Sequence, residues 1–409
     1  MNANDKIIVR DLAKQYLEIA LSDRQKKANK RMLDTNDLKI VRPPVLIDEI
    51  PWYQMDIDGE LECVCENDKA RYAEQFFKRA IYRSKHFNCD MIIEPFFRIN
   101  MRVSSTGTGL PKREETILRT DNKNNIVSHS FVDVLEDESV LEGLHTPKFT
   151  LNPEYDESEV NAYTELLGDS IPVRLCGHRY FGFWPWDDLS FLRGVEPILM
   201  DMYDRPEYLH ALMKVLVDEF EAKMDFVEQN MPVDRNVANL HCTPAYVSGL
   251  AEDGLKATWF RGMAQMFSTI SPDMFREFEL DYIKPLAERF AYTYYSCCEP
   301  LDNRIEMLKS INNLRKLGVS PWANVEVCAE QIGKDYVLAR KPNPANVAIE
   351  TDPDVIRRET EETVKASIKY GCPCEFVLKD ISTVSGKPQN LIIWADAVKE
   401  VLDKYYGED

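Results

Sequence analysis

The chain lacks the short signatures that would settle its chemistry at once. Ten cysteines are spread over 409 residues, yet no C-x-x-C or finger-like spacing occurs, which excludes a small structural zinc module. No G-x-G-x-x-G, Walker or G-x-S-x-G element is present, so dinucleotide, P-loop and serine-hydrolase readings lose their usual support. No apolar run approaches the ~18 residues of a membrane span, and the opening MNANDKIIVRDLAKQ has no secretory apolar core. The expectation is a cytoplasmic protein with reduced cysteines and no membrane partner. Positive charge is also short: 50 Lys and Arg face 69 Asp and Glu, a net charge of -19. That balance argues against nucleic acid or an anionic membrane as a partner.

What is present suits a folded α/β protein. Hydrophobic residues make up 44% and charged residues 29% of the chain, enough for a sizeable core. Residues 1–90 read as a helical cap or extension, with helices over about 9–32 and 69–84 separated by the Pro-punctuated VRPPVLIDEIPWYQMDIDGEL. The polar, acidic text of 121–160 reads as a flap or insertion. From Ile171 onward, short apolar runs alternate with long amphipathic stretches. The runs are 171–177, 236–241, 292–298, 314–319, 336–339 and 374–378, with two further strands expected at 91–97 and near Met101 or in the flap. Such alternation predicts parallel strands joined by crossover helices. The expected fold is α/β, a (β/α)8 barrel over 91–409 preceded by the N-terminal helical extension. Ser271-Pro272-Asp273 and Thr351-Asp352-Pro353-Asp354 supply N-cap, early proline and acidic first turn for two of the helices.

Barrel enzymes build their sites at the carboxyl ends of the strands, and polar residues gather just after the expected strands. Cys298, Glu299 and His241 are candidate metal ligands, since thiolate, carboxylate and imidazole suit zinc with an open position. The competing reading makes Cys297 and Cys298 buried packing residues, and strand alternation lets only one of them face the interior. Lys379 and Asp380, with Glu375 on the same strand, are candidate acid/base groups or a salt bridge closing the barrel. Arg340 and Lys341 could clamp a substrate anion, Trp259 and Arg261 could stack on a flat ligand, and His178 is a second histidine at a strand end.

Three elements carry a resemblance. Ser190-Phe191-Leu192-Arg193-Gly194, then Ile270-Ser271-Pro272-Asp273-Met274-Phe275-Arg276-Glu277-Phe278, and the closing Lys387-Pro388-Gln389-Asn390-Leu391 resemble the uroporphyrinogen decarboxylase superfamily over about 185–405. The resemblance implies a (β/α)8 barrel with an N-terminal helical extension, and either tetrapyrrole decarboxylation or zinc-dependent methyl transfer involving corrinoid proteins or thiols. The arginine-bearing decarboxylase element is matched here by Pro51-Trp52-Tyr53-Gln54-Met55-Asp56-Ile57-Asp58-Gly59-Glu60, acidic where it should be basic, which disfavours a polycarboxylate substrate. In the methyltransferase branch a strand-end H-x-C-G binds zinc; Cys298 falls on its cysteine, Ser296 on its histidine and Glu299 on its glycine. The chain also resembles an anaerobe-associated subgroup bearing C-C-E-P-L, R-K-P-N-P and L-K-D-I-S-T, for which no reaction is implied. The expected function is a zinc-dependent methyltransferase acting between a small molecule and a corrinoid protein or thiol, with a homodimer as the expected assembly. Two alternatives stay open: a metal-independent lyase on a carboxylated or aromatic substrate, and a non-catalytic small-molecule-binding barrel.

Overall fold

The computed structural model describes residues 2–110, 114–116, 129–235, 238–296 and 298–408, with backbone only for 114–116 and 129–131. Cys297 and residues 121–128 of the 121–160 segment lie outside the described residues.

Two helices open the chain, Ala3–Leu21 and Asp23–Asn36, where the sequence predicts one. The break is at Ser22, whose extended backbone ends the first helix while its side chain caps the second by accepting from the Gln25 N–H. A cap hydroxyl satisfies amide donors that have no partner in the first turn. Helix Asp68–His86 is capped in the same way by Asn67. Ser271 caps Pro272–Phe275, and Asp352 caps Pro353–Tyr370, which ends on the left-handed Gly371.

Seven parallel strands form the central sheet, in the order Val45–Ile47, Cys374–Leu378, Val337–Arg340, Leu314–Val319, Tyr292–Tyr295, Trp259–Gly262, Phe181–Phe183. The fold is thus mixed α/β with parallel strands, and the first strand of the sheet in the chain lies beside the last. A separate parallel pair joins Phe97–Asn100 to Val173–Cys176. Among the described residues no ladder links 45–47 to 181–183. Strand 45–47 comes from the N-terminal ninety residues expected to be a helical extension. The run expected as a strand over 236–241 forms, in its described part, one arm of a short antiparallel hairpin, Asn239–Leu240 with Thr243–Pro244.

Register decides which side chains share a face. Arg261 pairs with Gly182 on one side and Tyr294 on the other, and Tyr294 pairs with Lys316. Gly318 pairs with Ala339, Ala339 with Glu375, and Leu46 with Val377. Since side chains alternate along a strand, these residues line one face, and Phe260, Leu317, Leu338, Phe376 and Leu378 on the other face pack into the main core with the surrounding helices. Packing on that face is close at two glycines: a Cβ at Gly182 would meet Trp184 at 2.0 Å, and one at Gly318 would meet Ser296 at 2.2 Å.

The hairpin reaches into that inner face. Lys316 Nζ donates to Thr243 Oγ1 at 2.8 Å, to the Pro244 carbonyl at 3.1 Å and to Glu375 Oε2 at 2.9 Å, while Thr243 also bonds Glu375. Both charges are fully buried. A buried ion pair of this kind adds little net stability but is costly to break on one side only. Here it ties two strands to the hairpin.

Candidate functional site

Three chain segments bring the site together at the carboxyl ends of the strands. Glu49 follows strand 45–47 by two residues, Lys379 and Asp380 follow strand 374–378, and His241 and Cys242 form the turn of the buried hairpin. Glu49, His241 and Asp380 have φ of 50°, 58° and 59°. Left-handed backbone at a non-glycine residue costs about 1–3 kcal/mol and gathers where geometry serves a site.

Glu49 is the hub. Its Oε1 accepts from Cys242 Sγ at 3.5 Å and lies 3.7 Å from His241 Nε2. Its Oε2 accepts from the Asp380 N–H at 2.8 Å and lies 3.3 Å from Lys379 Nζ. Lys379 also donates to Asp380 Oδ1 at 2.5 Å, and Cys298 Sγ donates to Asp380 Oδ2 at 3.2 Å. Cys298 therefore joins the cluster through Asp380.

The electrostatics follow from burial among cations. Burial, then Arg261, Lys379 and Lys341, lower the His241 imidazole to about 3, so it is neutral at physiological pH. Burial pushes the Cys242 thiol far up, with Asp48 and Glu49 adding to it. Cys298 is raised by burial, against the pull of Lys341 and Lys379. Burial alone would lower the Lys379 ammonium, but Glu49 and Asp380 outweigh it and hold it above the usual lysine value. Asp380 stays below the usual carboxylate range because its bonds to Lys379 and Cys298 overcome burial.

The donor atoms of Glu49, His241 and Cys242 all lie within 4.8 Å of one another. Zinc bonds of about 2.0–2.3 Å in a tetrahedron place ligand atoms about 3.3–3.8 Å apart. The 3.5 Å sulfur–oxygen separation fits that spacing, and the 3.7 Å nitrogen–oxygen one is a few tenths of an ångström longer than such an edge. Oxygen, nitrogen and sulfur donors with a neutral imidazole suit zinc and leave a fourth position open.

The other residues singled out from sequence divide by strand face. Arg261 and Lys341 are buried and lie near His241; the Arg261 guanidinium rests 5.2 Å over the Trp184 ring. Trp259 sits deeper on the same face, donating to the Ala245 carbonyl at 3.0 Å. Glu375 is likewise inside, but bound to Lys316 and Thr243 rather than to the rim. Arg340 points to the helix side, donating to the Ser320 carbonyl at 2.7 Å and pairing with Glu359 at 3.0 Å. His178 packs on Phe181 with ring centroids 4.2 Å apart, and burial lowers it to about 4. Glu299 is 3% exposed and 3.7 Å from Arg304, outside the Glu49 cluster. Burial raises its carboxyl to about 8 although Arg304 works against this.

Sequence reasoning missed Glu49 and did not choose Cys242, the neighbour of His241, as a ligand. Glu49 lay in a segment assigned to a cap, and the signal that could have found it is the apolar Val45-Leu46-Ile47 run followed by two acids, a strand and its carboxyl end.

No protein-family model matches the chain, and no curated protein matches it. Among solved structures it is similar to a methyltransferase from Methanosarcina mazei at 15% identity, over 91% of this chain and 98% of that one, with a TM-score of 0.49. It is also similar to Haloferax volcanii malate synthase at 8% identity, over 60% and 57% of the two chains, with a TM-score of 0.20. At such values neither likeness assigns a family, a residue or a reaction.

Proposed function

We propose that the chain is a metal-dependent enzyme that transfers a methyl group between a small molecule and a thiol or corrinoid protein, with zinc held by Glu49, His241 and Cys242. The observation that carries the metal reading is an oxygen, a nitrogen and a sulfur donor all within 4.8 Å of one another, with the Cys242–Glu49 separation of 3.5 Å at the edge length of a zinc tetrahedron. Methyl transfer and the corrinoid partner come from the sequence resemblance, as does closure of the sheet into a (β/α)8 barrel, with the 97–100 and 173–176 pair standing in the open arc. Zinc bound here would keep a coordinated thiol deprotonated at neutral pH.

The remaining roles belong to the protein's own groups. Lys379 holds Glu49 and Asp380 in place and presents a proton at Nζ. Asp380 Oδ2 receives the Cys298 S–H, which keeps that thiol oriented toward the rim. Arg261 and Lys341 supply positive charge beside His241, suited to an anionic substrate.

A second reading has one observation in its favour: Glu49, Lys379 and Asp380 satisfy one another without any ion. It is the metal-independent lyase, with Lys379 and Asp380 as acid and base. Metal content separates the two. The purified protein is expected to hold about one zinc per chain, and His241→Ala and Cys242→Ala to lose it. Full lyase activity in metal-free protein, with no methyl transfer, would instead support the lyase.

A further inference from the structure

Beside the Glu49 rim lies a cleft of about 690 Å³ lined by Glu49, Asp380, Ile50, Trp52, Leu61 and Arg79 among others. A smaller cavity of about 260 Å³ also adjoins Trp52 and Arg79. Arg79 is the anomaly of this wall. It sits on helix 68–86 with its guanidinium 5.1 Å over the Trp52 ring. Its neighbour Lys78 pairs with Glu74 at 2.9 Å. Arg79 itself has no carboxylate within ion-pair distance among the described residues. Burial lowers its guanidinium, and only Cys63 and Tyr72 work against this. In a chain with 69 acids and 50 bases, a half-buried arginine without an acid is a conspicuous imbalance. Half-burying a guanidinium costs free energy that a bidentate oxyanion would offset.

We propose that the cleft takes a flat apolar molecule carrying one oxyanion, with the anion on Arg79, the ring against Trp52 and the opposite end at the Glu49–Asp380 rim. Geometry sets the orientation. Glu49 and Asp380 already share the Lys379 ammonium, which leaves it no free charge for a ligand, whereas Arg79 lines the same cleft without a carboxylate of its own among the described residues. Trp52 offers a ring face and Ile50, Leu61 and Ile381 offer apolar contact for the body, beside the polar Gln75, Lys78 and Ser382 of the same wall. The reacting end of this arrangement rests on the proposed function, whereas the Arg79 end does not.

The test is equilibrium binding to the full chain, by tryptophan fluorescence or calorimetry, of benzoate, phenyl phosphate, benzamide and acetate. At least one aromatic anion is expected to bind ~10-fold or more tightly than neutral benzamide, a difference of about 1.4 kcal/mol. Acetate, which has no ring, is expected to bind more weakly than benzoate. The order of benzoate and phenyl phosphate identifies the oxyanion. Arg79→Gln is expected to erase the preference without moving the melting temperature, and Arg79→Lys to restore part of it. His241→Ala is expected to keep the preference, so failure of metal binding and failure of anion recognition are separable. Equal binding of benzoate and benzamide, no binding of either anion, or an Arg79→Gln protein that discriminates like wild type would overturn the proposal.

Discussion

The backbone N–H of Asp380 donates at 2.8 Å to a carboxylate 331 residues earlier in the chain, that of Glu49, and both residues hold left-handed backbone. The two lie just beyond adjacent parallel strands, 374–378 and 45–47. One carboxylate thus fixes the loop after the last strand with one oxygen and faces His241 and Cys242 with the other. Replacing Glu49 by alanine is expected to release both. Glu49→Gln keeps an acceptor for the Asp380 N–H but loses the charge, so it should retain the fold and lose metal affinity by ~10-fold or more, on the order of 1.4 kcal/mol. Metal titration beside thermal melts of the two variants checks this.

The buried Lys316–Glu375 pair should behave asymmetrically. Lys316→Met leaves Glu375 and Thr243 buried with no cation and is expected to cost about 3–5 kcal/mol. The double variant Lys316→Met/Glu375→Leu should recover much of that loss, because no unpaired charge remains. Denaturant unfolding of the single and double variants measures the difference, and equal destabilisation would show that the pair is not acting as a unit.

Glu299 makes a pH prediction of definite sign. Its folded carboxyl is raised to about 8 by burial, whereas an unfolded glutamate titrates near the ordinary value of about 4.3. Between those two values the folded state binds the extra proton, so its contribution to stability is full below the unfolded value and is lost as pH rises through about 8. Glu299→Gln mimics the protonated acid and should match wild type near pH 4, then become the more stable protein by pH 9. Melting curves at several pH values decide it.

His241 runs the other way. Its imidazole is lowered to about 3, first by burial and then by the cations around it, while an unfolded histidine titrates near 6.5. The unfolded state binds the proton first, so stability from this residue is present above about 6.5 and declines as pH falls toward 3. Nuclear magnetic resonance of the side-chain imidazoles of metal-free protein should show that neither His241 nor His178 titrates between pH 5 and 8, the two being told apart by comparison with His241→Gln.

Strand and helix positions were legible where alternation and length agreed. The runs 314–319 and 374–378 match observed strands residue for residue, and 336–339 and 292–298 match within a few residues. Each is bounded by polar text and followed by a helix. Strands 45–47, 181–183 and 259–262 were not read as strands for different reasons. The first is three residues long and follows two prolines. The other two are buried on both faces or tightly packed, so Phe181-Gly182-Phe183 and Trp259-Phe260-Arg261-Gly262 show no polar alternation. His241, Cys298, Lys379 and Asp380 were chosen because they follow apolar runs, and they are linked pairwise through Glu49 and Asp380. The actual donor grouping was not legible, because a left-handed turn at His241 swings Cys242 to Glu49, and nothing in the text His-Cys-Thr-Pro announces a positive φ. Glu299 follows Cys298 directly, yet its side chain packs on Arg304, since neighbouring residues of a chain need not share a face.

The measurement that tests the central claim most directly is cobalt(II) titration of metal-free protein, followed by absorption spectroscopy. Wild type is expected to bind one ion per chain with a thiolate-to-cobalt charge-transfer band and the visible bands of a four-coordinate site. The Cys298→Ala protein should keep the charge-transfer band, Cys242→Ala should lose it, and Glu49→Gln and His241→Ala should bind weakly. A band that survives Cys242→Ala, or wild-type protein that takes up no cobalt, would contradict a metal centre at Glu49, His241 and Cys242.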